Sequence, residues 1–221
     1  MSTPDSAPVI QSDIVADVMC PWCSVGFRQL EQALGATGMG AQFRWQPLEL
    51  NPALGPDGQN LTEHIAEKYG MSQEQSAQNR AQLQQLGASL GIDFQFSTDS
   101  RIVNSFAAHQ LLEFALSVGL QHPLKLALFE AHFTQQRDVS DHQVLLDVAE
   151  VVGIVRADAA QVLDTGALAD SVREKQTFWT GHGISGVPSM IFAQKYLVTG
   201  AQGADAYAQI LRQVAQEDAA A

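Results

Sequence analysis

The chain has 221 residues, of which 24 are acidic and 12 are basic, so its formal net charge is −12. This charge argues against binding to nucleic acid, which requires a basic face, and against binding to anionic membranes. No apolar run approaches the roughly 20 residues of a membrane span, and the small, polar segment 1–8 does not resemble a signal peptide. We therefore expect a cytoplasmic protein with one domain, or one domain that carries a large insertion.

The first predicted strand, over residues 9–18, leads directly into a pair of cysteines. Cys20 and Cys23 are the only two cysteines of the chain, and Pro21 and Trp22 separate them. Because proline is favoured at the first helical position, this spacing predicts a helix that begins at Pro21 with Cys20 at its N-cap. Residues three apart share a helix face, so the two sulfurs can meet. A Cys-x-x-Cys between a strand and a helix is typical of a thioredoxin-type redox site.

Cys20 is the expected reactive thiol, because a helix N-terminus favours the negative charge of a thiolate. Pro21 and Trp22 add no positive charge, so we expect a less oxidising couple than one with a histidine between the cysteines. A structural zinc site usually takes four ligands, and no two histidines show ligand spacing, so no metal is predicted. A structural disulfide closing so short a loop would stabilise little. The Cys20–Cys23 pair is therefore predicted to be redox-active, without a further cofactor.

The middle of the chain changes from strands to helices. Residues 42–50 alternate as a second strand, and residues 51–58 form a loop. Helix signals then follow one another, with apolar residues at helical spacing and N-cap residues such as Asn60, Ser72 and Ser140. The predicted helices cover residues 21–35, 60–70, 72–91, 104–118, 122–133, 140–153, 158–163 and 167–180.

The C-terminal section returns to strands, with a turn and strand over 183–193, a hairpin partner over 195–199 and a terminal helix. The order β-α-β, helical block, β-β-α predicts an α/β thioredoxin fold with a large all-helical insertion. The predicted thioredoxin-like domain comprises residues 8–58 and 182–217, and the predicted helical insertion comprises residues 59–181.

Val187 and Pro188 open the strand that is expected to lie beside the Cys20 helix. Only bonds before proline adopt the cis form at small cost. A cis bond here would turn the Val187 backbone outward to pair with an extended peptide, and would place Pro188 against the two sulfurs. An ordinary trans proline in a loop is the alternative, but the upstream cysteines favour the cis form.

Four segments of the chain carry a family resemblance, and they are 17–23, 104–109, 183–188 and 200–202. With these segments the sequence resembles the DsbA family of thioredoxin-fold oxidoreductases, most closely its cytoplasmic FrnE-type branch. The resemblance implies dithiol–disulfide exchange with protein or peptide thiols and disulfides. Cys20 would be the exposed attacking thiol, and Cys23 the buried thiol that resolves the mixed disulfide. Gln110 departs from the arginine that often follows the histidine of the second segment.

Asp17 lies three residues before Cys20, at the end of the first strand. If its side chain points under the motif, it would take the proton from Cys23 during resolution, and burial would raise its pKa toward a useful value. The alternative is a solvated acid at the strand end or a cap of the next turn.

The remaining site residues come from the helical block and the two loops. His109 lies on an apolar helix face, where a packing role is favoured over a catalytic one. Asn104 and Ser105 indicate helix capping, and the resemblance implies that they also face the cleft over Cys20. The residues predicted to bind substrate are Pro21, Trp22, Asn104, His109, Val187 and Pro188.

Three functions remain open from the sequence. The first is a thiol–disulfide oxidoreductase or isomerase on proteins, with glutathione as a possible co-substrate. The second is a glutathione-dependent isomerase or transferase, because kappa-class glutathione transferases and 2-hydroxychromene-2-carboxylate isomerases share this split fold. Their catalytic position often carries serine, whereas this chain keeps both cysteines. The third is a peptide-binding chaperone without redox chemistry. A monomer or a weak homodimer is expected.

Overall fold

The computed structural model describes residues 9–218. Residues 1–8 lie outside this range. They include the segment predicted not to be a signal peptide and residue 8, the first of the predicted thioredoxin-like domain. The elements of the fold are, in chain order, β1 (Val9–Ala16), α1 (Pro21–Thr37), β2 (Gly40–Pro47), β3 (Gln59–Asn60), α2 (Leu61–Tyr69), α3 (Gln73–Ser89), β4 (Arg101–Ile102), α4 (Phe106–Ser117), α5 (Gln121–Phe129), a π-helical segment (Glu130–Thr134), α6 (His142–Val151), α7 (Arg156–Thr165), α8 (Ala169–Gly181), β5 (Ser189–Phe192), β6 (Tyr196–Thr199) and α9 (Ala204–Asp218).

The main sheet has the strand order β2-β1-β5-β6. Strand β1 runs parallel to β2 and antiparallel to β5, and β5 and β6 form the predicted hairpin. Ile14, Val15 and Ala16 are fully buried, because the end of β1 lies inside the sheet with both faces covered. Helices α1 and α9 pack against each other. The α/β thioredoxin arrangement predicted from the order of elements is confirmed.

The helical insertion builds a second core between α4, α5, α6 and α7. Helix α5 of the insertion also contacts β2 of the main sheet. The insertion in addition contains the two-residue strands β3 and β4, which pair antiparallel. Strands this short carry no hydrophobic period, so the sequence predicted only helices here. Within residues 9–218, no helix has both the length and the apolar character needed to cross a membrane.

Several element boundaries differ from the sequence prediction for local reasons. Helix α1 passes through Gly35 and ends at Thr37, where Gly38 takes a left-handed conformation with φ of 68°. The cap of α6 is Asp141, whose side chain accepts from the Gln143 N–H, and not the predicted Ser140. Strand β2 ends before the predicted residue 50, because its proline cannot donate a ladder hydrogen bond.

Candidate active site

The two cysteines lie at the start of α1. Cys20 has extended backbone angles at the N-cap, and Pro21 is the first helical residue, which confirms the predicted cap. The backbone N–H of Cys23 donates to the carbonyl of Cys20 at 3.1 Å. Both cysteines are free thiols. Cys23 is fully buried as expected, but Cys20 is only 4% exposed, so the prediction of an exposed attacking thiol was wrong.

The Val187–Pro188 segment explains the low exposure of Cys20. The Cys20 thiol donates to the carbonyl oxygen of Val187 at 3.7 Å, and the peptide bond between Val187 and Pro188 is cis, as predicted. A Cβ on Gly26 would lie 3.1 Å from Cγ of Pro188, so the proline ring rests directly on α1 within one turn of Cys23. The segment therefore covers the start of the helix and brings its backbone to the sulfur.

Asp17 is buried beneath the motif, and its carboxylate is an acceptor of several hydrogen bonds. It accepts from the backbone N–H of Met19 at 3.2 Å and from that of Leu50 at 2.7 Å. Burial by itself raises the pKa of Asp17, but His109, the Leu50 N–H and Ser105 outweigh it and lower the pKa to about 2. The raised pKa expected from burial is therefore not found. The Met19 contact agrees with the alternative in which Asp17 caps the next turn, and the role of Asp17 as a proton acceptor stays a prediction.

His109 is buried on α4, with 2% of its surface exposed. Its Nε2 lies 3.5 Å from Oδ1 of Asp17, which is long for a hydrogen bond. Asn104 caps α4, since its side-chain oxygen accepts from the Phe106 N–H at 2.8 Å, and its amide donates to Leu54 at 3.1 Å. The capping prediction is confirmed for the side chain of Asn104, whereas Ser105 occupies the N-cap position without a side-chain capping bond. The substrate-binding roles of Asn104 and His109 stay predictions.

Trp22 offers the largest free surface among the predicted substrate-binding residues, with 48% of its area exposed. Pro21 beside it and Val187 opposite are partly exposed. Val187 packs against the buried cluster that contains Cys20, and Pro21 and Trp22 follow Cys20 directly in the chain. The substrate-binding roles of these residues stay predictions.

Lys125 was missed by the sequence analysis. Its side chain on α5 is fully buried, and its charge acts on Cys23. Burial raises the pKa of the Cys23 thiol well above its ordinary range, and the neighbouring Cys20 adds to this, whereas Lys125 lowers it. In the sequence, Lys125 interrupts the otherwise apolar run of residues 124–129, which indicates burial but does not say which groups the lysine meets.

The part of the chain that the structure describes contains no cluster of three or more histidine, cysteine, aspartate or glutamate side chains arranged to hold a metal ion. The titratable groups around the cysteine motif include the two thiols, the buried carboxylate of Asp17 and the buried ammonium group of Lys125.

Comparisons with known proteins identify the family of the chain. The sequence model of the family described as DSBA-like thioredoxin domain matches residues 12–212. The crystal structure of a probable DsbA oxidoreductase from Streptomyces coelicolor is similar with a TM-score of 0.89 and 31% identity, covering 94% of this chain and 91% of that chain. The uncharacterized protein YwbO of Bacillus subtilis (strain 168) is 25% identical over 195 residues, which are 88% of this chain and 92% of YwbO. The cytosolic disulfide reductase DsbM of Pseudomonas aeruginosa, solved with glutathione, shares the fold with a TM-score of 0.63 and 16% identity, covering 93% of this chain and 99% of that chain.

Proposed function

The chain belongs to the DSBA-like thioredoxin domain family, and on this premise we propose that it is a thiol–disulfide oxidoreductase or isomerase acting on protein disulfides in the cytoplasm. The observation that carries the proposal is the position of Cys20. Its sulfur lies at the N-cap of α1, and it is 3.7 Å from the carbonyl of Val187. The proposed attacking thiol of Cys20 and the backbone of Val187, which would pair with an extended peptide, are therefore neighbours.

The proposed reaction proceeds in two exchanges. The thiolate of Cys20 attacks one sulfur of a substrate disulfide, the substrate S–S bond breaks, and the other substrate sulfur leaves as a thiolate. The thiolate of Cys23 then attacks Cys20, which forms the Cys20–Cys23 disulfide and releases the second substrate sulfur. Two electrons pass from the dithiol to the substrate. Two molecules of a monothiol such as glutathione would return the enzyme to the dithiol form and leave as their mutual disulfide, and an oxidising partner would drive the reverse direction.

The protein environment supports each thiol in its role. Cys20 lies at the N-cap of α1, at the positive end of the helix dipole. Cys23 is fully buried, so external disulfides have no direct access to it. Cys20 keeps 4% of its surface exposed at the helix start, whereas Cys23 has none. This small difference favours Cys20 as the thiol that meets the substrate and Cys23 as the thiol that acts only after the mixed disulfide has formed.

The proposal is tested by insulin reduction and by refolding of scrambled ribonuclease, with glutathione as the reductant. We expect the wild-type protein to accelerate both reactions and Cys20→Ser to be inactive. Cys23→Ser is the matched variant, because it keeps the attacking thiol and should accumulate a mixed disulfide with the substrate, visible by mass spectrometry.

The same experiment separates the alternative functions. Activity that persists in Cys20→Ser would favour a glutathione-dependent isomerase or transferase that does not need the thiol. No redox activity in the wild-type protein, together with peptide binding that survives Cys20→Ser, would favour a chaperone. Either result would overturn the proposed dithiol mechanism.

A further inference from the structure

Lys125 is a charged side chain in an apolar part of the molecule. It is 0% exposed, and its Nζ lies 4.9 Å from the ring centroid of Phe129 and 5.3 Å from that of Trp45. Both rings belong to the buried cluster that contains Cys20 and Cys23. Within residues 9–218, the ammonium group has no hydrogen-bond partner. A buried, unpaired ammonium group is destabilising, so the core would be more stable with an apolar side chain here.

The carboxylates near Lys125 are already engaged by other donors. Both oxygens of Glu113 accept from Lys175 at 2.6 Å, and Asp17 accepts the backbone N–H groups described above. Lys125, His109 and Glu113 line a cavity of about 10 Å³, so little room is left for solvent to screen the charge. The titratable groups that face Lys125 or act on it are Asp17, Cys20, Cys23, His109 and Glu113.

We infer that Lys125 is a positioning residue for the second exchange, in which its ammonium group stabilises the thiolate that forms on Cys23. This inference rests on the proposed function. Cys23 loses its proton, its thiolate attacks the Cys20 sulfur of the mixed disulfide, and the Cys20–substrate bond breaks. The departing substrate thiolate takes up a proton from solvent. The net step therefore moves one proton from Cys23 to the released substrate thiol.

The protonation behaviour of the two groups agrees with this geometry. Burial lowers the pKa of Lys125 to about 8, and the charges of Cys23, Asp17 and Cys20 partly oppose the shift. Below pH 8 the ammonium form dominates, and each rise in pH increases the fraction of Cys23 thiolate beside it. Above pH 8 the pair has already lost one proton, so the rate of the second exchange should become almost independent of pH.

The second exchange can be observed directly with 5,5′-dithiobis(2-nitrobenzoate). Attack by Cys20 releases one nitrothiobenzoate in a phase that depends on reagent concentration, and attack by Cys23 releases another in a phase that does not. Stopped-flow absorbance separates the two phases for the wild-type protein, Lys125→Met and the matched control Lys195→Met in the exposed turn between β5 and β6. Lys125→Gln removes the same charge if the methionine variant fails to fold.

We expect Lys125→Met to slow the second phase at pH 7 by roughly tenfold or more, which corresponds to one pKa unit of Cys23. The second-phase rate of Lys125→Met should keep rising through pH 8 without flattening. The first-phase rate of Lys125→Met, and both rates of Lys195→Met, should equal those of the wild-type protein. Equal second-phase rates and pH profiles in the wild-type protein and Lys125→Met would overturn this inference alone. Absence of any second phase in the wild-type protein would overturn the proposed function as well.

Discussion

Oδ1 of Asp17 lies 3.5 Å from Nε2 of His109, and both side chains are almost completely buried. This relationship joins the turn before α1 to the helical insertion, because Asp17 follows β1 and His109 lies on α4. The carboxylate also receives the N–H of Leu50 from the loop after β2. Three separated parts of the chain therefore meet directly beneath the cysteine motif.

Asp17 should contribute stability that is lost in acid. Its pKa is lowered from 3.8 to about 2 in the folded protein, so the contribution is present above pH 4 and is lost as the pH falls toward 2. At about 1.4 kcal/mol per pKa unit, the loss amounts to about 2 kcal/mol of unfolding free energy. Urea denaturation at several pH values in this range should show this fall in the unfolding free energy of the wild-type protein. Asp17→Asn lacks the titrating group, so an equally steep acid loss in that variant would contradict the assignment.

Replacing His109 should change the titration of Asp17. His109 is the largest of the interactions that lower the pKa of Asp17, so His109→Leu should move this pKa upward from about 2. The carboxyl carbon of Asp17, followed by nuclear magnetic resonance in labelled protein, reports the change. His142→Leu provides the control, because that histidine lies on α6 and is half-exposed. An unchanged titration of Asp17 in His109→Leu would show that the long contact is inert.

Gln121 should hold the insertion against the main sheet. Its side chain accepts from the backbone N–H of Trp45 and donates to the carbonyl of the same residue, both at 2.9 Å and both buried. Gln121→Ala leaves these two backbone groups without partners and should lower the unfolding free energy by about 2 kcal/mol. The exposed Gln82→Ala should change it by less than about 0.5 kcal/mol. Comparable values for the two variants in urea denaturation would argue against this role.

Gly26 should matter more for activity than for stability. An alanine gains about 1 kcal/mol of helix propensity, but its Cβ would lie 3.1 Å from Cγ of Pro188 and press the covering segment away from α1. We expect the unfolding free energy of Gly26→Ala to lie within about 1 kcal/mol of the wild-type value, while its rate of insulin reduction falls several-fold. Gly35→Ala in the same helix meets nothing within 4 Å and should keep full activity. Wild-type activity in Gly26→Ala would mean that the segment adjusts freely.

Trp22 should affect large substrates selectively. Its side chain is 48% exposed, so Trp22→Ala should lower the unfolding free energy by about 2 kcal/mol, less than the loss of a fully buried tryptophan would cost. Loss of its apolar surface should raise KM for insulin several-fold, because a bound peptide would contact that surface. Reaction with the small reagent 5,5′-dithiobis(2-nitrobenzoate) serves as the control and should be unchanged. If the reactions with insulin and with the small reagent slowed equally, Trp22 would affect the reactivity of the thiols and not the binding of large substrates.

The sequence by itself determined those features of the site that depend on neighbouring residues. The spacing of Cys20 and Cys23 and the proline at position 21 set the cap and the first turn of α1, because helix starts are governed by residues within one turn. The order of strands and helices was enough to predict the thioredoxin arrangement. The sequence also predicted the cis bond before Pro188, although its placement beside Cys20 required the fold.

Only the tertiary structure decided the electrostatics and access of the site. The partners of Asp17 come from Leu50 and His109, so its pKa falls where burial alone would raise it. Cys20 is covered by a segment more than 160 positions away, and Lys125 from the insertion lies over two aromatic rings that belong to the same buried cluster as the dithiol. Burial and charge depend on which side chains from distant parts of the chain come into contact. Hydrophobic period and residue spacing do not specify those contacts.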